Sequence, residues 1–292
     1  MQLTPDNIST DIIHLFDERN IQLSVLRLDK IHPVISGNKW FKLKYYLREA
    51  KDQKKRKIVT FGGAWSNHIV ATAAACHMNG FLSAGIIRGE EPSTLSDTLI
   101  EAVQYGMQLY FISREDYGEK KLPTDLKNEG CYFIDEGGFG EQGARGAAQI
   151  MEFTKGDFTH CCCAAGTGTM MAGLANTLSP SQKLIGISVL KNNHALENNV
   201  GSLFTGKRKT WEIIHDYHFG GYAKYKPALI SFMNEFYGQT NIPSDFVYTA
   251  KLFFAVTDLI NNNFFAQGSR LLLIHSGGLQ GNRSLAKGTL IY

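Results

Sequence analysis

The sequence predicts an α/β protein whose parallel-rich sheets carry helices on both faces. Short apolar runs of strand length alternate along the chain with longer stretches of helical periodicity. The apolar runs are nearly continuous, which suits strands covered on both sides rather than half-exposed ones. Four of them end in glycine-rich breaks, at Gly62-Gly63, Gly137-Gly138, Gly166 with Gly168, and Gly277-Gly278. In sheets of this kind ligands gather beyond the carboxyl ends of strands, so the breaks mark where a site would form.

Taken in order, "IQLSVLRL" (21–28) reads as a strand and "NKWFKLKYYLREAK" (38–51) as a helix with Trp40, Phe41, Leu43 and Leu47 among its apolar positions. "KIVTF" (57–61) is a strand running into the first glycine pair, and "SNHIVATAAACHMNG" (66–80) a helix stopped by Asn79-Gly80. A strand over 81–89, a helix over 95–106, a strand over 107–113 and a strand over 131–138 follow. The second half repeats the alternation: helix at about 141–154, strand 158–165, helix within 166–178, strand 183–190, helices 226–238 and 251–263, strand 269–278. Residues 191–221 carry the weakest pattern.

Composition excludes several classes. The chain has 292 residues, of which 43% are hydrophobic and 20% charged, the balance of a globular protein. A net charge of +3 is too mild for nucleic acid, and the basic run "KDQKKRK" (51–57) suits a solvated helix end. No apolar run approaches the ~20 residues of a membrane span, and the first 20 residues lack the layout of a signal peptide. Five cysteines, three of them adjacent at 161–163, make no disulfide framework. Neighbours on a strand face opposite ways, so the trio is expected as buried strand and not as a metal site; no metal is expected elsewhere. The expected setting is reducing and cytoplasmic.

Three groups of loops could carry chemistry. "AAGTGTMMAG" follows a strand and opens a helix, so glycine N–H groups and the helix dipole can meet an anion, with Thr167 and Thr169 adding hydroxyls. A dinucleotide fingerprint would put its third glycine where Met171 stands, and the Gly-Lys-Ser/Thr of a P-loop is absent. The spacing therefore suits one phosphate, or an ordinary βα turn, and disfavours a dehydrogenase. In "TFGGAWSNHIVA", Ser66 and Asn67 are good helix caps that could also receive a carboxylate or an aromatic hydroxyl, and His68 reads as packing or support. Tyr248 and Thr249 precede a helix, Ser276 sits in a strand-end glycine turn, and Tyr222 lies in "FGGYAKYK". Lys39 opens a helix behind Gly37-Asn38. Singly, each of these has an ordinary structural reading.

Together they resemble a family. "SGNKWFKLKYYL" is similar to the Gly-Gly-Asn-Lys-x-Arg-Lys-Leu segment of two pyridoxal phosphate (PLP) enzymes, 1-aminocyclopropane-1-carboxylate (ACC) deaminase and D-cysteine desulfhydrase. "GGAWSNH", "DEGGFGEQGARG", "GTGTMMAGL", "YTAK" and "HSGG" follow in the family's order and cover most of the chain. Departures are Ser36 for the first glycine, Phe41 for the arginine before Lys42, and Met170 where the family often has a hydroxyl.

The resemblance implies the two-domain, tryptophan-synthase-β-like PLP fold type II. A small α/β domain over 53–140 would be inserted into a large one built from 1–52 and 141–292. It makes Lys39 the lysine that binds the cofactor as an imine, with Lys42 near the phosphate, and the glycine before Asn38 leaves room for the cofactor to approach. Gly166, Thr167, Gly168 and Thr169 would hold the phosphate, and Asn67 the ring hydroxyl. Ser66, Asn67, His68, Tyr222 and Tyr248 would meet the substrate, a small amino acid. ACC deaminases carry Glu after the Tyr of Tyr-Glu-Gly-Lys and Leu in His-Leu-Gly-Gly. Thr249 and Ser276 stand here, as hydroxyls do in the desulfhydrases, and a hydroxyl near the pyridine nitrogen leaves the electron sink weaker. The expectation is therefore α,β-elimination from D-cysteine to pyruvate, ammonia and sulfide, by a homodimer. The alternatives are ACC deaminase and a PLP-binding protein of little turnover.

Overall fold

The computed structural model of the protein describes residues 7–207 and 210–292. The first six residues of the 1–52 segment and positions 208–209 lie outside the described residues. The first third holds β1 (Thr10–Ile13), β2 (Gln22–Arg27), α1 (Asn38–Asp52), β3 (Lys57–Gly62), α2 (Asn67–Asn79) and β4 (Leu82–Arg88). Next come α3 (Asp97–Gln104), β5 (Met107–Ile112), α4 (Arg114–Gly118), β6 (Cys131–Ile134), α5 (Glu141–Ala148), β7 (His160–Ala165) and α6 (Thr169–Ala175). The last part holds β8 (Lys183–Ser188), α7 (Leu196–Leu203), β9 (Trp211–Ile214), α8 (Pro227–Thr240), α9 (Thr249–Asn261) and β10 (Arg270–His275).

The strands form two sheets. A six-stranded sheet runs β1-β2-β10-β7-β8-β9, parallel except for the β1–β2 pair. A four-stranded sheet runs β5-β4-β3-β6 and is parallel throughout. Alternation along the central strands feeds opposite cores. Leu272 and Ile274 pack with α1, α5, α6 and α7 on one face of the large sheet, and Leu271 and Leu273 with α8 and α9 on the other. Cys161 and Cys163 join the first core and Cys162 the second, so the cysteine run is buried strand, as expected. In the small sheet α2 and α3 cover one face and Tyr117 of α4 the other.

The expected helix at 141–154 ends sooner: α5 stops at Ala148, and a 3-10 turn carries the chain to Phe153. Glycines of α5 and α6 are where the helices touch. A Cβ on Gly146 would lie 2.0 Å from the Phe41 carbonyl oxygen, and one on Gly173 2.4 Å from that of Ala144, so α1, α5 and α6 meet backbone to backbone.

Both sheets reverse their strand order once. In the large sheet the chain adds β8 and β9 on one side of β7 and returns with β10 on the other; in the small sheet β4 and β5 lie on one side of β3 and β6 on the other. Such switch points leave a crevice at the carboxyl ends of the two strands involved. The four loops there are those after β3, β6, β7 and β10, the same four glycine breaks singled out in the sequence.

Candidate active site

These loops enclose two adjoining chambers of about 60 and about 220 Å³. Lys39, Asn67, Gly137, Gly166, Thr167 and Tyr248 line both. Lys42, Gly168 and Ser276 face the inner one; Ser66, His68 and Tyr222 face the outer. Thr169 and Thr249 line neither. The Thr169 hydroxyl meets that of Thr167 at 3.1 Å, and Thr249 is wholly buried against Asp245.

Lys39 owes its place to a backbone junction. Gly37 is left-handed (φ 60°), and a Cβ there would lie 1.8 Å from the Ser276 carbonyl oxygen. Gly277 answers it: a Cβ there would lie 2.4 Å from the Ser36 hydroxyl. The Asn38 N–H donates to the Ser276 carbonyl at 3.1 Å, locking the start of α1 to the end of β10. The expected reason for Gly37, room for a cofactor, is corrected: the glycine clears protein backbone. Lys39 then donates to the Asn38 amide oxygen at 3.1 Å. Burial lowers its ammonium to about 8, with the charge of Asp245 resisting.

Lys42, one turn on, is buried and donates to the Gly137 carbonyl at 3.1 Å. Burial first, and then the charge of Lys39, hold it well below a free lysine. Neither lysine has an ion pair among the described residues, and no carboxylate lines the inner chamber, so it is short of negative charge. Beside the lysines the loop 166–168 and the start of α6 line the chamber, and a helix leaves its first N–H groups without partners of its own. A phosphate would supply the missing charge.

Across the chamber α2 begins at Asn67, capped by Ser66. The Asn67 side chain is buried; its amide donates weakly to the Gly278 carbonyl at 3.4 Å, and its oxygen has no partner. An orphaned buried amide is costly unless a ligand satisfies it. The His68 tautomer follows from its neighbour. Thr60 donates to the Ile134 carbonyl at 2.8 Å, so it accepts from His68 Nε2–H at 2.9 Å. His68 Nδ1 is thereby left as a buried acceptor without a partner, and burial together with the charges of Lys39 and Lys42 keeps the ring neutral.

Asp245 was not legible as part of the site. It lies wholly buried behind Gly278, and its oxygens accept from the N–H groups of Val247, Tyr248 and Thr249 and from the Thr249 hydroxyl. Burial raises this carboxyl, and those hydrogen bonds hold part of the rise back. An aspartate just ahead of a helix is a capping signal, and "SDFVYT" carries it. Arg88 at the end of β4, outside every motif, and Glu136, inside "DEGGFGEQGARG" but given no role there, also line the outer chamber. Tyr222 and Tyr248 meet edge to face there, centroids 6.4 Å apart. Burial and the charge of Glu136 push the Tyr222 hydroxyl up to about 12.

The inner chamber fits PLP on three counts: the unpaired lysines, the orphaned Asn67 oxygen and the glycine cup. With two parallel-rich sheets closing on it, the fold and site define a fold type II PLP enzyme. The chain belongs to the pyridoxal-phosphate dependent enzymes: that family's model matches residues 8–277. A relative in Thermotoga maritima named putative 1-aminocyclopropane-1-carboxylate deaminase is 28% identical, over 91% of this chain and 92% of its own. The bifunctional D-cysteine desulfhydrase/1-aminocyclopropane-1-carboxylate deaminase of Arabidopsis thaliana is also 28% identical, over 89% and 73%. The solved structure of an ACC deaminase homologue superposes with a TM-score of 0.82 at 25% identity, covering 97% of this chain and 92% of that one.

Proposed function

We propose that the protein is a PLP-dependent lyase performing α,β-elimination on a small amino acid, with D-cysteine converted to pyruvate, ammonia and sulfide. The wall of the inner chamber carries this reading: Ser276 stands on it, and among the described residues no carboxylate does. Asp245 lies close, but its oxygens are committed to backbone N–H groups and to Thr249. A pyridine nitrogen facing a hydroxyl stays neutral, whereas a facing carboxylate would hold it protonated. Opening the ACC ring is harder carbanion chemistry than expelling a thiolate from Cβ. Thr249 enters through Asp245, whose oxygen its hydroxyl occupies, and not by contact.

When bound, PLP supplies the electron sink for charge at Cα. Lys42, Gly166, Thr167 and Gly168 would receive its phosphate and Asn67 its ring hydroxyl, with Thr169 behind them against the Thr167 hydroxyl. Lys39, between the chambers, takes the Cα proton. Ser66 and the N–H groups opening α2 orient the carboxylate, with His68 behind them, and Tyr222 and Tyr248 flank the departing sulfur. The Cα–H and Cβ–S bonds break, a Cα–Cβ double bond forms, sulfide leaves, and water then releases ammonia to give pyruvate. In the same reading residues 53–140 are the small lobe, 1–52 and 141–292 the large one, and the enzyme is a homodimer. Five buried, unpaired cysteines suit a cytoplasmic setting.

ACC deaminase is the second reading, favoured by the names of the Thermotoga relative and of the solved homologue. Product analysis on D-cysteine, L-cysteine and ACC, with Lys39→Ala as control, decides between them. Pyruvate and sulfide from D-cysteine, lost by at least about 10³-fold in the variant, are expected. Ammonia from ACC at a matching rate would reverse the ranking. Turnover surviving in Lys39→Ala would refute the central assignment.

A further inference from the structure

Lys251 sits on α9 three residues past Tyr248, and its side chain is wholly buried. Its Nζ donates to the Gly221 carbonyl at 2.7 Å and to that of Val189 at 3.4 Å. Both partners are backbone carbonyls, and Asp245 acts on it only as a charge at a distance. Burying an ammonium without a direct counter-ion is expensive, and an apolar side chain of similar volume would fill the space at lower cost. The lysine therefore calls for a reason beyond packing.

That reason lies at the far end of the short bond. Gly221 precedes Tyr222 in a loop that is left-handed at Phe219 (φ 52°), Gly220 (100°), Gly221 (116°) and Ala223 (50°). Phe219 and Ala223 adopt that region against the preference of any residue with a Cβ. Such segments persist only where their surroundings over-determine them. The Gly221 carbonyl also accepts from the Lys224 N–H at 3.2 Å, so Lys251 grips the turn at its closing bond. Val189, the weaker partner, follows directly on β8, and its neighbour Leu190 lines the outer chamber. One ammonium thus ties the helix that begins beside Tyr248 to the end of β8 and to the loop that carries Tyr222.

We propose that Lys251 is a positioning residue, whose grip on the Gly221 carbonyl fixes Tyr222 against Tyr248 and so sets the width of the outer chamber around the substrate. The substrate part rests on the reading of that chamber given above; the loop-fixing part does not. The full-length holoenzyme is compared with Lys251→Met, which keeps length and removes the donors, and with Lys251→Gln, which keeps a shorter donor.

Amide exchange over residues 217–224 is read first. Protection is expected to fall by about ten-fold or more in Lys251→Met and by less in Lys251→Gln, with cofactor stoichiometry unchanged. Kinetics come second. KM for the substrate turned over is expected to rise about ten-fold with kcat within about three-fold, and the effect to shrink to under about two-fold in a Tyr222→Ala background. Unchanged exchange in Lys251→Met overturns the proposal. So does an undiminished kinetic effect without Tyr222. Should neither variant fold, the wild-type protein decides: Gly221 and Lys224 amides exchanging as fast as a free peptide overturn it, and protected ones support it. A wrong substrate assignment shows instead as absent D-cysteine turnover in the wild type, with the exchange result intact.

Discussion

The two switch points wall the same crevice by different means. At the large sheet the wall is backbone: Gly168, Gly277 and Gly278 are left-handed (φ 88°, 75° and 94°), and Gly37 abuts the Ser276 carbonyl. At the small sheet it is largely side chains: Ser66, Asn67 and His68 open α2, and Glu136 lines the same chamber. Backbone N–H and C=O groups suit a partner that never changes, because they cannot be swapped by mutation. Side chains suit a partner that differs between relatives. In the proposed reading the first wall takes the cofactor's phosphate and the second the substrate, with Asn67 of the second also reaching the cofactor's ring, while Lys39 stands between them.

The backbone wall should be brittle. Gly37→Ala would force a side chain into left-handed backbone and into the Ser276 carbonyl. The expected loss is at least about 3 kcal/mol of stability together with cofactor binding, read by urea unfolding and cofactor occupancy. A Gly37→Ala protein as stable and as fully loaded as the parent would break the comparison.

The side-chain wall should be soft by contrast. Asn67→Ala removes an oxygen that already lacks a partner and one long hydrogen bond. Stability should change by about 1 kcal/mol or less, while cofactor affinity weakens by about ten-fold, measured by titration of the cofactor-free protein. A large stability loss with unchanged affinity would make Asn67 scaffold and blur the distinction.

The same contrast governs what could be read in advance. Strands with continuous apolar runs and the glycine breaks after them are signalled by local composition, so both sheets' central strands and all four site loops were legible. β1 and β9 are four-residue edge strands, and exposed Ile12 in β1 gives no pattern to distinguish it from a loop. α7 lies in the poorly patterned 191–221 segment and has no side-chain cap. Yet that segment backs the glycine loop after β7: Asn193 donates to the Gly166 carbonyl at 3.1 Å, and Val200 packs on Gly168. Lys39, Ser66 and Asn67 were legible because a family motif carries them. Asp245 and Glu136 were not, since a helix-capping aspartate and a glutamate inside a glycine-rich motif have ordinary local readings, and Arg88 enters through a fold-level approach that leaves no local spacing. Gly37 was placed correctly but for the wrong reason, because its partner is more than two hundred residues away.

The smallest expected effect concerns the residue between the walls. Desolvation brings Lys39 to about 8 in the folded protein from the 10.5 of a free lysine, and Lys251 likewise. The folded chain therefore sheds these protons at lower pH than the unfolded chain does. Between about pH 8 and 10 the unfolded state binds more protons, so the cofactor-free protein should gain stability as pH rises through that window. Tyrosines whose hydroxyls are pushed up, Tyr222 among them, reverse the trend once unfolded tyrosines begin to ionise near pH ~10. In Lys251→Met the rise should be shallower but not abolished, since Lys39 remains. Reactivity separates the two lysines: an amine-selective reagent should modify Lys39 with a midpoint near pH 8 and leave wholly buried Lys251 untouched. A midpoint near that of surface lysines would mean that water reaches the Lys39 ammonium freely, and that neither wall shields it.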